Sequence, residues 1–327
     1  MKVKDPNSTR SNPKKALMLL CTSLLFLFSQ NVFASFEESQ AAPEETEAAA
    51  PEAENESADA SDSSETAQIS NIIAHAGGAI IGEDRVSIYT NSPEAIEANY
   101  ALGFRTFEMD LELTSDGKLA SVHDWDDYGL KNGEPMSSEE WLAAGSAGKD
   151  ESEAHYTSLL FEGILDIMEK YPDIVIVTDM KYSDERASQM FTIICDTVEQ
   201  KDPALFDRLV PQIYTNEMYD VIMELYPWKN IIYTTYNNDL SADEIIDFCA
   251  SKYNIHIITS QTSDKRFGTK QTQKIHENGM LVYKHTVDNL YTMAKFGVKD
   301  VDGYYTNMIT PEEMERVTAA AGNAVDE

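Results

Sequence analysis

The sequence predicts an α/β fold, a closed (β/α)8 TIM-type barrel in a single domain, and three observations predict it. Residues 69–327 alternate eight strand-like runs with helix-like runs, the pattern of a parallel sheet with helical crossovers. The run Ile174-Val175-Ile176-Val177 is apolar on both faces, as a strand covered on both sides should be. Eight such units in 259 residues fit a barrel, and no glycine-rich dinucleotide turn supports the competing open, doubly wound sheet.

The elements follow in order. The first strand, 72–75, ends on His75. Ser92-Pro93-Glu94 then opens a helix over 93–102 with a capping residue and a proline in the first turn, and Gly103 stands where a helix-terminating glycine belongs. The second strand, 105–112, places Phe107, Met109 and Leu111 on one face and Glu108, Asp110 and Glu112 on the other. Ser115-Asp116-Gly117 is a turn, so 118–124 returns as a hairpin-like arm ending in His123-Asp124. After a helix over 159–170, the third strand, 174–181, ends in Asp179 and Lys181 at i, i+2 spacing. Helices over 187–200, 217–225, 243–251, 270–277 and 289–296 separate strands at 209–214, 230–236, 255–260, 281–287 and 303–307. Gly279 again marks a helix end, and His285 closes the seventh strand. Cys195 and Cys249 fall in amphipathic helices and read as buried thiols, although their spacing does not decide whether they pair.

Ahead of the barrel lie two segments of different character. Residues 1–34 carry Lys2, Lys4, Arg10, Lys14 and Lys15, then an apolar run of 13 residues, then Val32-Phe33-Ala34, the pattern of a secretory signal peptide. The run is shorter than the ~20 residues a spanning helix needs, so no stable membrane span is expected after cleavage, and the protein is expected outside the cytoplasm. Residues 35–68 hold 11 acids and no Lys or Arg, a composition that cannot bury enough apolar surface to fold and predicts a disordered acidic spacer. Residues 69–327 themselves carry 20 basic against 45 acidic side chains, which argues against nucleic acid as a partner and against electrostatic docking on anionic lipid. It does not exclude a small anionic substrate. Nothing in the pattern sets an oligomeric state.

The polar residues at the strand ends suggest a site. In a barrel the C-terminal ends of the strands form the functional face. His75, Glu108, Asp110, Asp179, Lys181 and His285 all sit there. Glu108-x-Asp110 alone would equally suit an edge strand with a solvated acidic face. Crowded with a third acid it suits one hard divalent cation with oxygen ligands.

The ordered set His75-Ala76-Gly77-Gly78, Ser92-Pro93-Glu94-Ala95, Phe107-Glu108-Met109-Asp110, Thr114-Ser115-Asp116-Gly117 and Val122-His123-Asp124 resembles the glycerophosphodiester phosphodiesterase family. Val177-Thr178-Asp179-Met180-Lys181, His285-Thr286-Val287-Asp288 and Asp302-Gly303-Tyr304-Tyr305-Thr306-Asn307 are similar to its later motifs, so the resemblance spans about residues 72–307. It implies a barrel phosphodiesterase with a divalent cation, Mg²⁺ or Ca²⁺, on Glu108, Asp110 and Asp179. It implies His75 and His123 as the acid-base pair, and Lys181 with Glu94 and His285 on the substrate side. The substrate is then a small phosphodiester or a lipid-derived one, cleaved to an alcohol and a phosphomonoester. Ala76 replaces the family's arginine, Asp179 its glutamate, Ala95 its asparagine and His285 its tryptophan, and the 75–93 loop is longer than usual. Asp179-x-Lys181 also resembles the sphingomyelinase D-like relatives on the same fold. Two other readings therefore stand beside the hydrolase: a phospholipase D-like lyase acting on a phospholipid or lysophospholipid, and a catalytically silent barrel that binds a surface phosphate or glycan. Lys181 has the simpler alternative of a structural ion pair, Glu94 that of a helix N-terminal charge, and His285 that of a plain pocket wall.

Overall fold

The computed structural model describes residues 68–126, 133–148, 155–183, 185–236 and 238–323. The predicted signal peptide and all but the last residue of the predicted spacer lie outside these residues. Eight parallel strands close the barrel: β1 (Ile72–Ala74), β2 (Thr106–Asp110), β3 (Val175–Asp179), β4 (Leu209–Ile213), β5 (Ile231–Thr234), β6 (Ile255–Gln261), β7 (Leu281–His285) and β8 (Gly303–Thr306). Each pairs with its sequence neighbours, and β8 returns to β1 through Ile72↔Tyr304. This is the predicted fold.

One helix follows each strand: α1 (Pro93–Ala101), α2 (Phe161–Lys170), α3 (Glu185–Lys201), α4 (Asn216–Leu225), α5 (Ala242–Ala250), α6 (Thr269–Glu277), α7 (Leu290–Gly297) and α8 (Pro311–Asn323). Their sequences explain them. Phe161, Ile164, Leu165 and Met168 recur at helical spacing and are the buried face of α2. Ser92 Oγ accepts from the Ala95 amide at 3.2 Å to cap α1, and a Ser241/Glu244 capping box opens α5. Gly103 and Gly279 take φ of +99° and +74° just past their helices, as predicted. Two helices escape the periodicity reading. α8 is alanine-rich with a sparse apolar stripe, and Ser138–Ala144 is a seven-residue helix in the β2–α2 connection. The predicted hairpin return is present, with Glu112–Leu113 pairing antiparallel to Leu119–Ala120.

Alternation along the strands sorts the core into two compartments. Phe107, Met109, Ile174 and Ile176 join the large cluster between strands and helices. Ile73, Val175, Val177, Val210, Ile232, Ile257, Tyr283 and Tyr305 form a separate cluster that fills the barrel interior. Inward positions one step further along the strands are polar, so the apolar plug is the floor under the functional face. A third cluster, Ala120, Val122, Trp125 and Trp141, lies in the β2–α2 connection and carries His123 on its border. Cys195 and Cys249 are both buried and free. No helix among the described residues is long and apolar enough to cross a membrane.

The floor is tightly fitted at one point. A Cβ on Gly303 would stand 2.5 Å from the buried Tyr283 ring, whose hydroxyl donates to the Ser70 carbonyl at 3.1 Å. Gly303→Ala should therefore cost roughly 1–3 kcal/mol by overpacking. Denaturant unfolding measures it, and the cost should shrink in a Tyr283→Leu background, where the clash is gone.

Candidate active site

The C-terminal ends of the strands surround a cavity of about 430 Å³. Its lining includes His75, Glu108, Asp110, His123, Asp179, Lys181 and His285, seven of the eight residues that the sequence nominates. Glu94 does not line it. That carboxylate sits at the first turn of α1 and accepts from the Thr157 hydroxyl at 2.6 Å and the Thr157 amide at 3.2 Å, so it fastens the β2–α2 connection to the helix.

The three acids arrive by register. Asp110 pairs directly with Asp179 across β2 and β3, and Glu108 lies one inward step below Asp110. They are 1%, 1% and 6% exposed for Glu108, Asp110 and Asp179, which makes them internal groups rather than a solvated rim. One carboxylate oxygen from each lies within 4.8 Å of the others. Burial of three like charges demands compensation, and each acid has a different one. Asp110 accepts from Lys181 Nζ at 2.6 Å and from Asn91 Nδ2 at 2.9 Å. Asp179 meets Lys181 Nζ at 3.2 Å and accepts from Gln212 Nε2 at 2.9 Å and from the Tyr214 hydroxyl. Among the described residues Glu108 has only the Ala76 amide, at 2.7 Å on Oε2, and its buried Oε1 has no hydrogen-bond partner.

The titration behaviour follows from this inequality. Burial, then Asp110 and Asp179, push the Glu108 carboxyl well above the usual range. Burial pushes Asp110 the same way, but Lys181, His123 and His75 outweigh it and hold that carboxyl below its ordinary value. Lys181 is desolvated too, and Asp110 and Asp179 nevertheless raise it, so it stays an ammonium ion.

The histidines are set by their second nitrogens. Asn307 Nδ2 donates to Asp288 Oδ2 at 2.7 Å, which turns its Oδ1 toward His75 Nδ1 at 3.0 Å. The His75 proton is therefore on Nδ1, and Nε2 faces Glu108 Oε2 at 4.0 Å. Burial lowers the His75 value, against the pull of Asp110. His123 Nδ1 lies 2.5 Å from Asp124 Oδ2. His285 holds Thr259 Oγ1 at 2.9 Å, and burial pushes its imidazole down to about 3, so it is neutral. The His285–Thr286 peptide is cis.

Sequence reasoning gave no role to Asn91, Gln212, Tyr214, Asp288 or Asn307. Val210-x-Gln212-x-Tyr214 carries the inward alternation that places Gln212, and Thr306-Asn307 ends a strand. Asn91 sits in a loop with no periodic signal.

No family model matches the sequence, and no curated protein matches it. Solved structures do. A glycerophosphodiester phosphodiesterase from Parabacteroides distasonis superposes with a TM-score of 0.60 at 19% identity, covering 77% of this chain and 97% of that one. An Oleispira antarctica phosphodiesterase in complex with the product sn-glycerol-3-phosphate gives 0.55 at 14% identity, covering 78% and 96%. A glycerophosphodiester phosphodiesterase from Agrobacterium tumefaciens gives 0.53 at 15%, covering 78% and 100%. At these identities the agreement is one of fold: the chain shares the barrel of these phosphodiesterases over nearly their whole length.

Proposed function

We propose that the chain is an exported, metal-dependent phosphodiesterase that cleaves a glycerophosphodiester-type substrate to an alcohol and a phosphomonoester. One observation carries the reading. Three buried carboxylates within 4.8 Å of one another share a cavity with two histidines and a lysine, at the C-terminal end of a barrel whose structural neighbours are such phosphodiesterases. The product sn-glycerol-3-phosphate held by the Oleispira antarctica neighbour supports a glycerol-bearing substrate.

The donor set fits a divalent cation. All three groups are hard oxygen donors, and Glu108 Oε1 is a buried acceptor that nothing among the described residues satisfies. Glu108, Asp110 and Asp179 would hold Mg²⁺ or Ca²⁺, whose charge neutralises the phosphodiester and polarises a phosphoryl oxygen. Lys181 sits across Asp110 and Asp179, holds the Asp110 carboxyl below its ordinary value, and adds positive charge beside the acids. His75 is neutral, has its Nδ1 proton anchored on Asn307, and accepts the proton of the attacking oxygen at Nε2. His123, braced by Asp124, supplies the proton to the departing alkoxide.

Loss of either His75 or His123 to alanine should cut kcat/KM by roughly 10²-fold or more. The assay is release of alcohol from glycerophosphocholine, other glycerophosphodiesters and lysophospholipids, with and without Mg²⁺ or Ca²⁺. Because burial lowers His75, the acid limb of kcat/KM should fall below pH 6.5, the ordinary value of the group. Near-parent turnover in both variants would place the chemistry elsewhere, and a cyclic phosphate product would favour the lyase.

Glu108 gives a second test, free of activity. Its folded value stands above its unfolded one, so the metal-free protein keeps this contribution below pH 4.5 and loses it as pH rises through the raised value. Glu108→Gln should leave metal-free protein at neutral pH as stable as the parent or more so. The parent should gain thermal stability with added Mg²⁺ or Ca²⁺, by about 2.7 kcal/mol at a hundredfold excess over Kd, and the variant should gain far less. A parent whose Tm ignores both cations would remove the metal from the mechanism.

Export carries its own test. N-terminal sequencing of the extracytoplasmic protein should begin near Ser35, and limited proteolysis should trim it to near residue 69 with activity intact. An extracytoplasmic protein that still begins at Met1 would contradict a cleaved leader.

A further inference from the structure

We propose that Tyr89 is a positioning residue that sets the orientation of the two histidines relative to each other, a role that rests on the phosphodiesterase reading above. Its ring stands between them. The ring centroids of Tyr89 and His75 are 4.7 Å apart with the planes at 87°. Those of Tyr89 and His123 are 5.2 Å apart at 78°. Both are edge-to-face contacts at the distance aromatic pairs prefer.

The need for such a residue follows from where the histidines come from. His75 ends β1, and Asn307 and Asp288 tie it to the barrel. His123 belongs to the β2–α2 connection, and its short bond to Asp124 joins chain neighbours, so that bond does not register the ring against the barrel. Tyr89 touches both sides. Besides the His75 contact, it packs on the Ala120, Val122, Trp125 and Trp141 cluster that borders His123.

The backbone shows that this placement is enforced. Tyr89 has φ of +61° and Asn91 has φ of +49°, conformations that large side chains rarely adopt. The neighbours hold them there. The Thr90 carbonyl accepts from the Ser146 hydroxyl, and the Asn91 amide nitrogen donates to the Ala76 carbonyl at 3.2 Å. The Asn91 side chain exchanges two bonds with Asp110, one at 2.9 Å and one at 3.0 Å. Tyr156 reaches across to Ser87 at 2.8 Å. An extended backbone at position 89 would turn the ring out of the gap between the imidazoles. The loop between β1 and α1 thus grips the segment that brings His123, and Tyr89 is the point at which that grip reaches the cavity.

The test uses the full exported protein with Tyr89→Leu, Tyr89→Phe and Tyr89→Gly. Two quantities are read: kcat and KM with glycerophosphocholine, and the nuclear Overhauser contacts of the His75 and His123 imidazole C–H protons with the barrel by NMR without substrate, because their chemical shifts would move on loss of the ring current alone. Tyr89→Leu should change the contacts of His123 and cut kcat/KM on the order of tenfold to a hundredfold, chiefly in kcat, because misplacing a proton-transfer group costs that much. Tyr89→Phe should recover most of the rate and the parent contacts. Tyr89→Gly should lose the rate like leucine yet melt at or above the leucine variant, because glycine adopts the positive φ without strain. Parent-like kcat/KM in Tyr89→Leu would overturn the proposal. So would a phenylalanine variant as slow as leucine, which would mean that the hydroxyl, and not the ring, does the work. If the parent cleaves none of the phosphodiesters, the functional reading fails by itself. The NMR arm then decides alone: parent-like imidazole contacts in Tyr89→Leu overturn the positioning role, and contacts changed in leucine but kept in phenylalanine uphold it.

Discussion

Crowding Glu108, Asp110 and Asp179 onto one inner wall, directly above an apolar plug, is the constraint to which the rest of the site answers. Water cannot solvate groups that are 1%, 1% and 6% exposed, and each uncompensated charge there costs several kcal/mol. Lys181 neutralises the Asp110–Asp179 side at 2.6 Å and 3.2 Å, and Asn91, Gln212 and Tyr214 occupy remaining lone pairs. One side is left over. Among the described residues Glu108 has one backbone donor and an orphan oxygen, and burial, with Asp110 and Asp179, displaces its carboxyl upward. A wall balanced everywhere except at one buried acceptor is physically incomplete, and a cation shared by all three acids would complete it. This is the support for the proposed metal.

The single donor that Glu108 does have is itself bought with backbone strain. Ala76 takes φ of +49° and ψ of +39° so that its amide points at Glu108 Oε2. For a residue with a Cβ, that conformation costs about 1–3 kcal/mol. The two glycines after it make the turn possible. Gly78 has φ of +88°, and a Cβ there would stand 2.4 Å from Asn99 Nδ2, the group that donates to the Ala79 carbonyl at 3.0 Å and locks the turn onto α1. Helix, turn and carboxylate are therefore one unit, and strain at Ala76 is sustained by packing ten or more residues away in sequence.

Much of this was legible in the sequence because barrels translate alternation directly into geometry. Glu108 and Asp110 share a face at period two, and the same rule put Asp179 beside Lys181. Once the strand ends were recognised as the functional face, seven nominated residues fell into one cavity. What was not legible came from elements without a period. Tyr89 reads from the sequence only as one of several aromatics that could line the pocket, because its place depends on a loop with positive φ at Tyr89 and Asn91, and the Ser146–Thr90 bond has no periodic signal at all. Glu94 failed for the converse reason. Its motif neighbours placed it near the site, but an acid at a helix N-terminus is satisfied locally, and Thr157 lay within reach. α8 was missed because alanine propensity, rather than an apolar stripe, forms it.

The formal charge of −32 sets a last question: how an acidic protein could receive an anionic phosphodiester. At physiological salt, exposed charges are screened beyond about 8 Å, so the outer acids act weakly on a substrate inside the cavity. What the substrate meets is local. The β1–β3 side presents Lys181 and the acid cluster, whereas the lining from β5 to β8 is Thr234, Tyr236, Gln261, Thr262, Ser263, Thr286, Tyr305 and a neutral His285. Among the described residues, no lining residue on that second side carries charge. The cavity is thus divided into a charged half and a half made of hydroxyls, amides and aromatic edges. That division suits a molecule with an anionic phosphate at one end and a neutral, hydroxylated group at the other, the chemistry that a glycerol phosphodiester combines. Asp264 and Asp288 stand behind that half but neither lines the cavity, so a cationic head group lodged against β5 to β8 would meet no lining carboxylate among the described residues.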